Sequence, residues 1–175
     1  MRPNKDQYFI SLAALVATRT TCAKQAVGCV LVNARGHVLA TGYNGVVAGQ
    51  AHCNDGHPCP GAGLPAGSGQ GLCQAVHAEQ NALLQCRDIW DIDTVYCTLE
   101  PCLTCTKLLL NTGARRIVFQ HTGAKLDGAQ GLWSAVRGTA MILAGPTTWK
   151  PLNAEALSAE QMRDKADIPT MWRYV

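Results

Sequence analysis

The chain has 175 residues, a net charge of +3, 47% hydrophobic residues and 15% charged ones. That length and balance fit one soluble globular domain able to bury a substantial core. They exclude a basic nucleic-acid arm, because no Lys or Arg run occurs, and a membrane span, because no apolar stretch approaches about 20 residues. The polar start, Met1 to Asp6, has no apolar core of a secretory signal, so a cytoplasmic location is expected.

In chain order, Asp6 to Arg19 is helical in pattern, with Phe9, Leu12, Ala13 and Val16 on one face. Val27 to Val32 is a continuous apolar run and predicts a buried strand. Asn33-Ala34-Arg35-Gly36 predicts a hairpin turn, with Val38 to Gly42 as the returning strand. From Gly45 to Gln74 periodicity is lost. Between Gly56 and Gly71, six of sixteen residues are glycine and three are proline, too many for regular structure. A long loop of this kind is usually functional or tied down. His77 to Cys86 predicts a helix, Thr94 to Leu99 a strand, Cys102 to Asn111 a helix and Arg116 to Phe119 a strand. Gly131 to Arg137 follows as a short helix and Ala140 to Leu143 as a last strand. The tail from Pro146 to Val175 is less regular, with a helix expected near Glu155 to Lys165 and Trp172 and Tyr174 docking on the body. A hairpin followed by alternating helices and strands predicts an α/β fold with a mixed sheet. One domain is expected over residues 1–175, with a Gly/Cys-rich insertion at about 45–75 and a divergent tail from about 120.

The chemistry-bearing pattern is His77-Ala78-Glu79 followed by Pro101-Cys102-Leu103-Thr104-Cys105. It reads as a His/Cys/Cys zinc site with a glutamate beside the metal. Three protein ligands leave a tetrahedral Zn²⁺ with one open position, the catalytic arrangement, and water there becomes a nucleophile near neutral pH. Glu79 is the carboxylate placed to move protons to a leaving amine. Cys102 and Cys105, at i and i+3, share one helix face. The competing reading is a structural Cys/Cys knuckle beside an unrelated histidine, but a structural site is closed by a fourth ligand and has no use for Glu79.

Nine cysteines also need an account. In a reducing cytosol, clustered thiols are metal ligands more often than disulfides. Cys29 and Cys97 lie in apolar runs and read as small buried hydrophobes, and Cys86 as packing at a helix end. Cys22, Cys53, Cys59 and Cys73 are left over.

Together, Gly42-Tyr43-Asn44-Gly45, His52-Cys53, His77-Ala78-Glu79-Gln80-Asn81-Ala82 and Thr98-Leu99-Glu100-Pro101-Cys102-Leu103-Thr104-Cys105 resemble the deoxycytidylate deaminases. The zinc motif alone is shared by the wider cytidine deaminase superfamily. The resemblance runs from about Thr20 to Phe119. It implies a three-layer α-β-α cytidine deaminase-like fold with a central mixed sheet of about five strands. It implies hydrolytic deamination of dCMP, or of a C5-modified dCMP, to dUMP and ammonia in pyrimidine nucleotide metabolism. It further implies a homo-oligomer, often a hexamer; the weak charge and short apolar runs lead us to expect no nucleic-acid or membrane partner. Carried over by residue, His77, Cys102 and Cys105 hold catalytic zinc and Glu79 shuttles protons. The Ala78 backbone faces the pyrimidine carbonyl, and Asn44 hydrogen-bonds the nucleotide. For Asn44 a plain turn role is the alternative, since Tyr-Asn-Gly is also a turn sequence. A second, structural zinc maps to Cys22, Cys53, Cys59 and Cys73, with His52 or His57 able to replace one thiol. Free buried thiols are the alternative. After Phe119 the sequence departs from the family pattern, because Gln120 to Asp127 contains no tyrosine. Lys24, Lys125 and Arg115 are candidates for the phosphate, each also readable as a solvated charge. Two other classes stay open: a zinc deaminase acting on a nucleoside, a purine base or a base in nucleic acid, and a catalytically idle zinc-stabilised assembly protein.

Overall fold

A five-stranded mixed sheet, order β2-β1-β5-β6-β7, forms the centre of the computed structural model, which describes residues 2–65, 68, 70–123 and 128–145. The expected helix at Glu155 to Lys165 and the docking of Trp172 and Tyr174 lie outside the described residues. Strand β1 (Gly28–Val32) pairs antiparallel with β2 (Val38–Tyr43) on one side and with β5 (Thr94–Leu99) on the other. β6 (Arg116–His121) runs parallel to β5, and β7 (Ile142–Leu143) parallel to β6. The sheet is therefore mixed, as the alternation of elements predicts.

Alternation along the strands sorts side chains onto two faces. Val30, Val32, Tyr96 and Val118 point to one face, where α1 (Lys5–Ala17) covers them with Phe9, Ile10 and Ala13. Cys29, Leu31, Val95, Cys97, Ile117 and Phe119 belong to the opposite core, with Ala78 and Ala82 of α2 (Ala78–Gln85), Leu109 of α3 (Leu103–Leu110) and Trp133 of α4 (Ala129–Arg137). Helix, sheet and helices make three layers. The fully buried residues of α1 are Ile10 and Ala13, while Leu12 and Val16 are partly buried. The buried stripe, Phe9, Ile10, Ala13 and Ala17, is thus turned slightly from the expected one.

Capping sets the start of α1. The Asn4 side chain accepts from the Gln7 N–H at 2.8 Å, and the Gln7 side chain accepts from the Asn4 N–H at 3.1 Å, a reciprocal capping box. Glycine sets how closely α2 approaches the sheet. A Cβ at Gly42 would collide with the backbone of Ala78 and Ala82, so this strand position must lack a side chain for the helix to lie where it does.

The segment expected to be one long loop has closed ends. β3 (Gly45–Val46) pairs antiparallel with β4 (Ala75–Val76), so the insertion leaves and returns at one point. Two-residue strands have no periodicity to detect, which is why the sequence pattern shows only a loop there. A short 3₁₀ turn, Gln70–Leu72, precedes β4.

Candidate metal centre and substrate cavity

Two helix starts bring the metal-ligating residues together. β4 delivers His77 to the N-cap of α2, and β5 with Pro101 delivers Cys102 to the N-cap of α3; both residues have extended backbone. The sequence predicts His77 and Cys102 as the first helical residues; both instead sit one position earlier. A cap residue has its backbone turned out of the helix, which leaves its side chain at the helix mouth. The Gln80 side chain accepts from the His77 N–H at 2.9 Å and fixes the turn. Cys102 Sγ accepts from the Cys105 N–H at 3.5 Å, so a ligand sulfur itself caps α3.

His77 Nδ1 lies 3.6 Å from Cys102 Sγ and 3.4 Å from Cys105 Sγ. The three ligand atoms fall within 4.8 Å of one another, and among the described residues this is the group that does so. Zn–N and Zn–S bonds of about 2.1 and 2.3 Å at a tetrahedral angle put neighbouring ligand atoms about 3.6 Å apart. The two histidine–sulfur spacings therefore fit zinc. The sulfurs are also poised for a cation. A hydrogen bond from the Cys105 thiol, then one with His77, holds Cys102 down to about 4, and the same partnership with Cys102 pushes Cys105 up. A divalent ion can take the place of that shared proton and hold both sulfurs as thiolates. The hydrogen bond with Cys102 also raises His77.

Glu79 is 4% exposed, within the first turn of α2. Burial pushes its carboxyl above the usual carboxylate range. It faces a cavity of about 210 Å³ shared with His77, Cys102, Ala78, Asn44, Leu99 and Lys24. The cavity opens beyond the carboxyl end of β5, where open α/β sheets bind ligands.

The structure places the remaining candidates as follows. Ala78, at the first position of α2, lines the cavity and is buried. Asn44 also lines it, but its side chain ties the β2 exit. Oδ1 accepts from the Val27 N–H and from the Thr20 hydroxyl, each at 2.8 Å, and Nδ2 donates to the Gln25 carbonyl at 2.8 Å. One Nδ2 proton is left for a ligand. Cys53, Cys59 and Cys73 associate pairwise rather than as one converging group. The Cys59 N–H donates to Cys53 Sγ at 3.3 Å. Cys59 is held below its usual value, first by the Gln74 backbone, with Cys53 and Cys73 thiols adding to it. Burial raises Cys73, and both Cys59 and Cys22 are close enough to add to the rise. His52 is exposed and pairs with Asp55 at 3.2 Å, and His57 is exposed. Arg115 is exposed and lies off the cavity wall. Lys125 lies outside the described residues. Behind the metal site, Cys29 and Cys97 face each other across β1 and β5, fully buried, as their apolar runs predict.

Glu100, a motif residue given no role by the sequence, lines the wall together with Thr122 and Gly123. Glu100 accepts from Gln130 Nε2 of α4 at 2.8 Å, a link that only the fold creates.

The chain matches the cytidine and deoxycytidylate deaminase zinc-binding region over residues 3–121. It belongs to that family. The deaminase relatives include the deoxycytidylate deaminase of Mycobacterium phage D29, 42% identical over 127 residues, covering 67% of this chain and 95% of the phage protein. That of Schizosaccharomyces pombe is 40% identical over 130 residues, covering 72% of this chain and 39% of the yeast protein. The chain thus spans about two fifths of the length of its yeast relatives, 39% in both fission and budding yeast. Among solved deaminases, the dCMP deaminase of cyanophage S-TIM5 in complex with dCMP and dUMP superposes with a TM-score of 0.63. It is 22% identical, covers 82% of this chain and 98% of its own, and shares the fold. The three-layer architecture is thus the deaminase fold that the motifs imply, and the His/Cys/Cys group lies within the residues that match this family's zinc-binding region. Among the described residues, no helix is long and apolar enough to cross a membrane.

Proposed function

We propose that this chain is a zinc-dependent hydrolytic deaminase that converts dCMP, or a C5-substituted dCMP, to dUMP and ammonia. The observation that carries the reading is Glu79, a buried carboxylate on a cavity whose wall also holds two of the three converging ligand groups. A structural knuckle or an idle scaffold has no use for such a group there. The deoxycytidylate deaminases among its relatives support the substrate.

In this reading His77, Cys102 and Cys105 hold Zn²⁺, which supplies Lewis acidity that makes water a nucleophile near neutral pH. Glu79 takes a proton from the attacking water and passes protons to the ring nitrogen and the departing amine. Its raised carboxyl suits a group that must both accept and donate. The Ala78 backbone N–H meets the pyrimidine carbonyl, and the remaining Nδ2 proton of Asn44 meets the nucleotide. Water adds at C4, the C4–amine bond breaks, and ammonia leaves with the proton that Glu79 returns.

A second zinc at Cys22, Cys53, Cys59 and Cys73 belongs to the same reading. The pairwise contacts of Cys53, Cys59 and Cys73 support it. A homo-oligomer, with a hexamer the form the motif resemblance implies, belongs to the same reading, and exposed Leu84, Trp90, Leu108 and Val136 offer apolar surface for it. Light scattering on the purified protein tests that assembly.

Ammonia release measured in parallel from dCMP, deoxycytidine, guanine and single-stranded DNA tests the function. The expected outcome is a kcat/KM for dCMP or its C5-substituted form at least about 10²-fold above deoxycytidine. Equal turnover of deoxycytidine or of DNA sinks the assignment.

A further inference from the structure

One side chain on the cavity wall, that of Lys24, reaches three carbonyls of the insertion. Lys24 Nζ donates to the carbonyls of Pro65 at 3.0 Å, Ser68 at 3.4 Å and Gly61 at 3.5 Å. Its own N–H donates to Cys22 Sγ at 3.4 Å, which fixes the backbone from which the side chain reaches out. Lys24 and Ser68 both line the cavity that contains Glu79 and His77. Among the described residues, Lys24 is the one Lys or Arg on that wall, and the two carboxylates there, Glu79 and Glu100, carry the opposite sign.

A phosphate dianion entering this cavity must meet donors and a counter-charge, because burying an unpaired anion beside two carboxylates is costly. An ammonium has three donors and no acceptor. Two of its three contacts here are 3.4 Å or longer and go to neutral carbonyls. A charge-assisted bond to phosphate is shorter and roughly twice as strong as a neutral one. Lys24 can therefore keep Pro65 and turn a second N–H onto a phosphate oxygen without leaving the insertion.

We propose that Lys24 is the cation that binds the 5′-phosphate of the substrate, and that it does so while anchoring the insertion, so that phosphate recognition and the position of the insertion are coupled through one ammonium. This rests on the reading of the site as a nucleoside monophosphate site. It makes Lys24 a specificity-determining residue: it discriminates nucleotide from nucleoside, whereas His77, Cys102, Cys105 and Glu79 act on the ring common to both. A role as loop clamp alone predicts a different result, since loss of the clamp harms nucleotide and nucleoside alike.

The test compares zinc-loaded wild type, Lys24→Met and Lys24→Arg by kcat/KM for dCMP and for deoxycytidine. In Lys24→Met the dCMP-to-deoxycytidine ratio falls by about 30-fold or more, mostly through KM for dCMP, and Lys24→Arg restores it to within about fivefold of wild type. An unchanged ratio in Lys24→Met, whatever the separate rates, overturns the proposal. Calorimetric binding of dUMP and of inorganic phosphate to the same proteins decides the matter independently of turnover. Wild type binds dUMP at least about tenfold more tightly than Lys24→Met, and inorganic phosphate competes with it. Equal binding overturns the assignment of Lys24. Weakened dUMP binding in Lys24→Met in a protein that does not deaminate dCMP leaves Lys24 as the phosphate cation and removes the deaminase reading instead.

Discussion

His77 Nδ1 and Cys105 Sγ are 28 residues apart in the chain and 3.4 Å apart in space. Neither helix contains both groups. The contact exists because α2 and α3 both begin at the same end of the sheet, one after β4 and one after β5. The two helix N-termini place positive dipole ends beside the thiolates, which favours their ionised form.

Replacing the carboxylate alone separates binding from chemistry. Glu79→Gln keeps the shape of a buried side chain and removes the proton carrier. Zinc content stays at the wild-type level by elemental analysis, and ammonia release from dCMP falls by at least about 10²- to 10⁴-fold. Near-normal turnover in the zinc-loaded variant ends the proton-shuttle assignment.

The metal itself is the next lever. Cys105→Ser leaves His77 and Cys102 as an incomplete set, so the variant binds at least one zinc fewer and loses deamination. With the proposed second site filled, elemental analysis of the wild-type protein is expected to give two zinc ions per chain. Cys53→Ser or Cys59→Ser lowers the count by one and the melting temperature by several degrees, with activity affected less, because structural zinc contributes to folding directly. A wild-type count of one rules out the second site.

Packing under α2 gives a purely steric prediction. Gly42→Ala pushes a methyl group into the backbone of Ala78 and Ala82, neither of which can move without displacing the helix that bears Glu79. A loss of about 1–3 kcal/mol is expected by denaturant titration, accompanied by reduced kcat. Gly36→Ala, in a turn with φ of 88° and open space around its Cβ, loses stability through backbone strain but leaves kcat unchanged. Equal kcat in both variants breaks the link between Gly42 and the site.

The far face of the sheet sets an alkaline limit. The Tyr96 hydroxyl donates to Asp6 Oδ1 at 2.8 Å, and Arg116 pairs with the same carboxylate at 3.2 Å. Burial, then the bond to Asp6, pushes the Tyr96 phenol well above its ordinary value near 10. The protonated phenol is favoured in the folded chain. Its contribution is therefore complete below about pH 10 and is lost as pH rises above that toward the folded value. Tyr96→Phe lowers stability at pH 7 and flattens its decline above pH 10; parallel pH profiles for the two proteins remove Tyr96 as the cause.

Much of the site is legible before any fold is known. His77, Glu79, Cys102 and Cys105 are short-range patterns, because metal geometry demands ligands at fixed offsets on local elements. The strands β1 and β5 are legible for a related reason: buried strands need unbroken apolar runs, and those runs carry Cys29 and Cys97. The boundaries at His77 and Cys102 shift by one residue, since cap and first helical position differ in backbone torsion rather than in residue type.

Other features belong to the tertiary structure alone. The β3–β4 pair that closes the insertion leaves no trace in two-residue strands. The three internal bonds of Asn44 depend on Thr20, Gln25 and Val27 arriving from another segment. Lys24 reads in the sequence as a phosphate candidate no better than Lys125 or Arg115, or as a solvated charge; only the return of Gly61, Pro65 and Ser68 over it puts its ammonium on the cavity wall. The physical division is one of range. Metal ligation, capping and strand burial are written in neighbouring residues, whereas the sign of the charge facing a substrate is decided by which distant segments the folded chain brings to the same opening.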